Sequence, residues 1–193
     1  MCVAVAETPY RYIAVVSRSE GSDSLNHSNP GPDLDAISIS AGGTELFASV
    51  IESSQQGPEG DQGNTRPLST HATAVTVKDT VNAAGTCDLE LGDGDGTFAG
   101  YVAIGGIGGY IVVSFPREIA TGDTVKVYEI DRAYCSTASR ERPDAYEVYV
   151  TTDASLATNP GSADNIRTNW CLVGAQSGNG GVFSSGFNAA ICP

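Results

Sequence analysis

The sequence predicts an all-β fold, a two-sheet β-sandwich built from about ten short strands. Two pairs of runs carry the prediction: residues 110–115 with 124–130, and residues 146–151 with 170–174. Each run is rich in β-branched and aromatic residues and is bounded by Gly, Pro or Asp. No amphipathic helical stripe lies between the runs, so the pattern indicates strands rather than helices.

The remaining elements follow from the same pattern. Further strands are predicted at residues 10–16, 34–40, 45–51, 74–78, 88–91, 98–104 and 182–187. Loops are predicted at residues 53–69 and 153–169, and a short connector holds Pro116 and Gly122. The glycines at 105–106 and 108–109 are expected in turns, where they reach positive φ without steric cost. No linker divides the chain, so we expect one domain over residues 1–193, with residues 1–17 as an N-terminal arm or exchanged strand.

Charge and composition disfavour several partners. The chain has 10 Lys and Arg against 23 Asp and Glu, a net charge of −13. Nucleic acid and anionic membrane surfaces are disfavoured, because binding them requires cations on the protein. Calcium is the natural counter-ion, since it takes carboxylate and carbonyl oxygens; the acidity equally suits solubility alone. Only 17% of the residues are charged, which favours an exported protein over a cytosolic enzyme.

The chain has five cysteines. They form no Cys-x-x-Cys pair and lie far from both histidines, so no zinc site is expected. Omitting any one of the five and pairing the other four in three ways leaves fifteen arrangements. We choose Cys87–Cys135 and Cys171–Cys192, because each bond would join neighbouring strands, and Cys2 is then free or linked to another chain. The alternative is five thiols in a reducing cell.

No membrane span or export signal is expected from the sequence. No stretch approaches the roughly 18 apolar residues of a spanning helix. The apolar residues 2–6 are too few for a signal peptide and lack a basic region before them. An extracellular location therefore implies that the sequence is a mature form or begins at an internal Met.

Four motifs resemble a known family. They are Tyr101-Val-Ala-Ile-Gly-Gly-Ile-Gly-Gly-Tyr-Ile-Val-Val-Ser-Phe, Gly-Asp-Thr-Val-Lys-Val-Tyr-Glu, Tyr-Glu-Val-Tyr-Val-Thr-Thr-Asp and Trp-Cys-Leu-Val-Gly. Together they resemble the galactose-binding-like jelly roll of discoidin domains, carbohydrate-binding modules and bacterial surface proteins, over residues 98–175. The resemblance implies an extracellular, non-catalytic binding domain, often with structural calcium. Residues 154–169 replace the short turn of relatives. The sugar-binding residues of the family lie in variable loops, so none is carried over.

Six acidic residues are candidate calcium ligands: Asp33, Asp35, Asp93, Asp95, Asp123 and Glu129. Asp93 and Asp95 alternate with glycine in a Gly-Asp-Gly-Asp-Gly turn, although the full EF-hand spacing is absent. Asp33 and Asp35 would project from one face of a regular strand. The alternative readings are an ordinary acidic turn and a solvated strand edge.

The sequence also predicts the roles of one asparagine and one tryptophan. Asn26 begins the glycosylation sequon Asn-His-Ser within a predicted loop. Trp170, the single tryptophan, is expected to pack in the core rather than to stack on a sugar.

The first functional hypothesis is a non-enzymatic extracellular structural or adhesive protein that assembles with copies of itself, as a surface filament or sheath subunit stabilised by calcium. Tyr10, Tyr12, Ile13 and Val15 belong to the strand that would add to a neighbour's open sheet edge. The alternative is a calcium-dependent carbohydrate-binding, lectin-like module with glycans as partners.

Catalysis is not expected. No Gly-x-Ser-x-Gly motif is present, and His27 and His71 are the only histidines that could act as a base. The least favoured hypothesis is a small glycoside hydrolase with carboxylates from Glu52, Glu59 and Asp61.

Overall fold

The computed structural model describes residues 9–18, 32–57, 91–92, 97–98, 102–129, 145–177 and 182–192. The strands are β1 (Tyr10–Ser17), β2 (Asp33–Ala41), β3 (Thr44–Phe47), β4 (Val50–Gln55), β5 (Leu91–Gly92), β6 (Thr97–Phe98), β7 (Val102–Ala103), β8 (Tyr110–Ile119), β9 (Thr124–Glu129), β10 (Ala145–Thr151), β11 (Cys171–Ser177) and β12 (Val182–Gly186). The helices are α1 (Ala154–Thr158) and α2 (Ala163–Asn169), and a 3₁₀ turn spans Ala189–Ile191.

The described strands form two antiparallel sheets that pack face to face. Sheet A has the order β11-β10-β1-β8-β4, and sheet B has the order β12-β9-β2-β3, with β7 beside the start of β2. The two-residue strands β5 and β6 pair with each other. The predicted two-sheet β-sandwich is therefore confirmed.

The main core lies between the two sheets. Alternate residues of each strand point inward, because successive side chains of a strand face opposite ways. Five strands each contribute two central buried residues: Ile13 and Val15 from β1, Ile37 and Ile39 from β2, Ile111 and Val113 from β8, Val125 and Val127 from β9, and Val148 and Val150 from β10. Each such side chain stabilises the fold by about 1.5–3 kcal/mol through apolar area removed from water.

Sheet A is buried on its outer face as well. Ala14, Val16 and Val112 pack there against Ile166 and Trp170 in a second core cluster. Strand β1 is consequently buried at every position from Ile13 to Ser17, without the alternation of a half-exposed strand. Trp170 is 6% exposed, so the prediction that it packs in a core is confirmed.

The prediction of a loop over residues 153–169 is wrong, because α1 and α2 occupy most of that range. The Asp153 carboxylate accepts the backbone N–H of Ser155 at 2.7 Å and that of Leu156 at 3.2 Å. The Ser162 hydroxyl accepts the N–H of Asn165 at 3.1 Å. These N-cap bonds satisfy amides that a helix leaves without a partner.

No helix in the described part of the chain is long and apolar enough to cross a membrane.

The predicted single strand over residues 45–51 is also wrong in detail. The chain leaves sheet B at the end of β3 and enters sheet A at β4. Between them, the Ala48 N–H donates to the Ile37 carbonyl at 3.0 Å, and the Ser49 N–H donates to the Ser114 carbonyl at 2.9 Å. Two residues thus cross from one layer to the other along one side of the sandwich.

Pro116 lies within β8 rather than in the predicted connector. Its strand carries extra residues there, since Tyr12 pairs with Ser114 and Tyr10 pairs with Ile119. Proline has no N–H to donate, and this irregular stretch makes no regular ladder bond to β1 at Pro116. Gly122 does lie in the turn before β9, with a φ of 97°.

The glycine-rich segment before β8 forms the predicted turns, with positive φ at Gly105 (76°) and Gly108 (98°). A second reason for glycine is close packing of backbones. A Cβ at Gly109 would lie 1.9 Å from the Ile104 carbonyl oxygen, and one at Gly57 would lie 2.4 Å from the Gly106 oxygen. Only glycine fits at Gly57 and Gly109 without moving the backbone.

Candidate functional site

The outward face of sheet B carries a cross-strand polar cluster. Glu45 from β3 accepts a hydrogen bond from the Ser38 hydroxyl at 2.6 Å and a short one from the Tyr128 hydroxyl. Lys126 from β9 places its Nζ 3.4 Å from the same carboxylate oxygen. The Phe47 ring lies 6.3 Å from the Tyr128 ring between centroids. The arrangement gives this face two aromatic rings and one ion pair, all partly accessible to solvent.

The electrostatics of this cluster favour a charged Glu45 and a neutral Tyr128. Burial opposes ionisation of Glu45, but hydrogen bonds from Ser38 and Tyr128 and the charge of Lys126 hold its pKa below the usual value. Burial, followed by the hydrogen bond to Glu45, raises the pKa of Tyr128 to about 12. The tyrosine therefore remains a donor to the carboxylate throughout the physiological range.

A second polar cluster joins α2 to sheet A. The Arg167 guanidinium donates to Glu147 at 2.9 Å, to Asp164 at 3.0 Å and to the Ser17 carbonyl at 2.8 Å. Burial alone would lower the pKa of Arg167, but the bonds to Glu147 and Asp164 raise it. Burial, with the hydrogen bond to Glu147, raises the pKa of Tyr149 to about 12. The bonds to Glu147 of β10 and Ser17 of β1 therefore tie α2 to sheet A, while the bond to Asp164 lies within the helix.

The described part of the chain holds no group of three or more His, Cys, Asp or Glu residues placed to bind a metal. Asp123 is buried and accepts bonds from the Arg117 guanidinium and the Ala120 N–H, so it serves the turn before β9. Strand β2 has a register shift relative to β9 between Leu34 and Ala36, and the side chains of Asp33 and Asp35 lie outside the described part of the structure.

Three other ligand positions give no test either. Glu129 ends β9, while Asp93 and Asp95 lie outside the described residues. Calcium therefore stays a prediction.

The disulfide prediction is met at one of its two pairs. Cys171, the first residue of β11, is bonded to Cys192 after the 3₁₀ turn. Cys2, Cys87 and Cys135 lie outside the described residues, as does Asn26, and their predicted roles stay predictions.

The residues predicted for strand exchange lie at the centre of a sheet. Tyr10, Tyr12, Ile13 and Val15 belong to β1, which pairs with β10 on one side and β8 on the other within the same chain. Residues 10–17 are therefore not a free arm in this structure. Exchange of β1 between copies would require it to leave both neighbours, and it stays a prediction.

The two sides of the sandwich differ in how the edge strands of the two sheets are linked. On one side β11 and β12 are joined: the Ser185 hydroxyl donates to the Val173 carbonyl at 3.3 Å, and the Cys171–Cys192 bond lies beside them. On the other side β3 and β4 are edge strands, each with a single partner among the described strands. We call the β3–β4 side the open side and the β11–β12 side the closed side.

Nothing in the described residues assembles a hydrolytic centre. The carboxylate of Glu52 accepts the Ser114 hydroxyl at 2.6 Å, but no histidine lies in the described part of the chain. Glu59, Asp61, His27 and His71 lie outside it. The hydrolase hypothesis thus gains no residue from the structure.

Comparison with known proteins found no relative of this chain. No family model matches the chain, and neither a curated protein nor a solved structure matches it. The likeness to galactose-binding-like domains accordingly stays a prediction.

Sequence reasoning missed the cluster around Glu45 and the one around Arg167. Each joins residues far apart in the chain, such as Glu45 with Tyr128 and Ser17 with Arg167. The strand order brings them together, and no local pattern encodes that order. The N-cap residues Asp153 and Ser162 were the one local signal that could have revealed the helices.

Proposed function

We propose that the chain is a non-enzymatic extracellular structural or adhesive protein that assembles with copies of itself. The observation that carries the proposal is the open side of the sandwich. An edge strand presents unpaired backbone N–H and C=O groups, which are a ready template for another extended chain. Proteins that must stay monomeric commonly place Lys, Pro or other charged residues on such edges; β3 and β4 contain no Lys or Pro, and each has one Glu.

The composition supports the same proposal. A half-buried disulfide and a surface poor in charge suit an extracellular protein. The net charge of −13 makes copies repel one another at low salt. Assembly is therefore expected to need either screening by salt or neutralisation by a divalent cation, which is the role proposed for calcium.

Electron microscopy and light scattering of the purified protein test the proposal directly. We expect filaments, sheets or large particles that increase when sodium chloride is added. At matched ionic strength, a further increase with calcium chloride and its reversal by a chelator would support calcium binding. A chelator should then also lower the melting temperature, because a ligand held by the native state alone stabilises it. Monodisperse single chains under all these conditions would refute self-assembly.

Glycan binding is the second candidate, and the outward face of sheet B favours it. Phe47 and Tyr128 offer ring faces to the C–H face of a sugar, and Glu45 and Lys126 offer partners for its hydroxyls. Calorimetry against polysaccharides should give heat for the wild type and none for Phe47→Ala. Ile107→Ala, an exposed apolar residue outside sheet B, is the matched control. Equal binding by both variants would exclude this face.

A further inference from the structure

We infer that residues 188–192 close over one end of the main core only when Cys171 and Cys192 are oxidised, on a sandwich that is already folded. We call these residues the strap. They follow Phe187, which is 3% exposed and whose ring lies 5.1 Å from the Tyr10 ring between centroids. The bond from Cys192 to Cys171 joins the end of the strap to the first residue of β11.

The sheets reach the closed side before the strap begins. Strand β11 pairs with β10 from Ala145 to Val150, and β12 pairs with β9 along its whole length. The Phe187 N–H donates to the Asp123 carbonyl at 2.7 Å, and the Phe187 carbonyl accepts the Gly122 N–H at 2.9 Å. These contacts all precede the strap, so both sheets keep their edge strands when the strap is open.

Few described contacts besides the disulfide hold the strap in place. The Ile191 N–H donates to the Asn188 carbonyl at 3.3 Å and the Cys192 N–H to the Ala189 carbonyl at 3.2 Å, but both bonds lie within the strap. Among the described hydrogen bonds, the one from the Ala189 N–H to the Thr121 hydroxyl at 3.0 Å joins the strap to another part of the chain. Ile191 is 68% exposed, and a single 3₁₀ turn has poor hydrogen-bond geometry. These contacts do not offset the conformational entropy that is lost when the strap is ordered.

The disulfide can form on the folded sandwich because both cysteines are half-buried at the edge of the main core. Since the sheets already fix Phe187 and Cys171, only the strap has to be ordered for the two sulfurs to meet. Oxidation removes two protons and two electrons from the two thiols and forms one S–S bond, while a small disulfide such as oxidised glutathione accepts them and becomes two thiols. With the extracellular location proposed above, the strap stays open while the chain is in a reducing compartment and closes after export.

Amide hydrogen exchange followed by NMR tests the strap, because the N–H groups of residues 189–192 are all hydrogen-bonded when it is closed. The oxidised wild type is compared with the double variant Cys171→Ser and Cys192→Ser. Thr121→Ala is the matched control, since it removes the hydroxyl that accepts the Ala189 N–H and leaves the disulfide intact. In a further experiment, the wild type is reduced and then treated with oxidised glutathione without denaturant. Peptide mapping by mass spectrometry identifies the bond that forms.

In the double variant we expect exchange at residues 189–192 to be at least about tenfold faster, with the amides of Phe187 and β1 within about twofold of the wild type. Oxidised glutathione should restore both the Cys171–Cys192 bond and slow exchange, and Thr121→Ala should accelerate exchange at Ala189 alone. Unchanged exchange in the double variant, loss of protection at Phe187 or β1, or release of the whole strap by Thr121→Ala would each overturn the inference. So would failure of the bond to re-form without denaturant. These measurements are made on single chains, so their outcome is independent of self-assembly.

Discussion

Removing the Cys171–Cys192 bond should lower stability by an amount that follows from its place in the chain. The two cysteines are 21 positions apart. Chain-entropy bookkeeping for a loop of that length gives about 3 kcal/mol of stabilisation at 25 °C, from restriction of the unfolded state. For a domain of this size, about 3 kcal/mol corresponds to a fall of roughly 6–12 °C in melting temperature.

The assay compares the wild type with the double variant Cys171→Ser and Cys192→Ser by calorimetry, each with and without a reductant. The oxidised wild type should melt at the highest temperature. The double variant should resemble the reduced wild type if this is the principal disulfide. A further loss on reducing the double variant would reveal another bond, as predicted for Cys87–Cys135. A double variant that melts within about 2 °C of the oxidised wild type would refute the loop-entropy reasoning.

Three other predictions concern packing and ionisation. Gly109→Ala should lower the free energy of unfolding in urea by at least about 1–3 kcal/mol, because a methyl group there meets a carbonyl oxygen. Gly186→Ala is the control and should change that free energy little, because the space around Gly186 is open. Equal losses in the two variants would contradict the close backbone packing at Gly109. Ile166→Ala should cost about 2–5 kcal/mol, whereas Ile191→Ala, at a residue 68% exposed, should cost little; a mild Ile166 variant would argue against the second core. The pKa of Tyr149 is raised from 10.0 to about 12, so its contribution to stability is complete below pH 10 and is lost as the pH rises through about 12. In Tyr149→Phe, the urea midpoint should therefore fall less steeply with pH between pH 10 and about 12 than in the wild type. An equally steep fall in the variant would contradict the raised pKa of Tyr149.

The sandwich could be predicted because its strands leave a local signal. The run of β9 alternates inward-facing valines with Thr, Lys and Tyr next to Gly and Asp, which is typical of a strand that faces a core on one side. The continuous run Ile-Ala-Val-Val in β1 also indicated a strand. Its lack of alternation is typical of a strand that is buried on both faces.

The N-cap residues Asp153 and Ser162 were the only local signal of the helices, and the polar clusters leave none. α1 and α2 have 5 and 7 residues, too few to display a helical period. The break at residues 48–49 depends on tertiary hydrogen bonds to Ile37 and Ser114, which no local propensity encodes. The open side likewise follows from strand order.

The position of β1 has a consequence for biosynthesis. Ile13 pairs with Val113 on one flank and with Val150 on the other, so β1 completes its pairing only after segments much later in the chain have left the ribosome. Until then its apolar run lacks a native neighbour on at least one flank, which exposes the nascent chain to aggregation. A protein with this topology should depend on chaperones during synthesis, and release of a truncated chain ending before residue 145 should yield insoluble product.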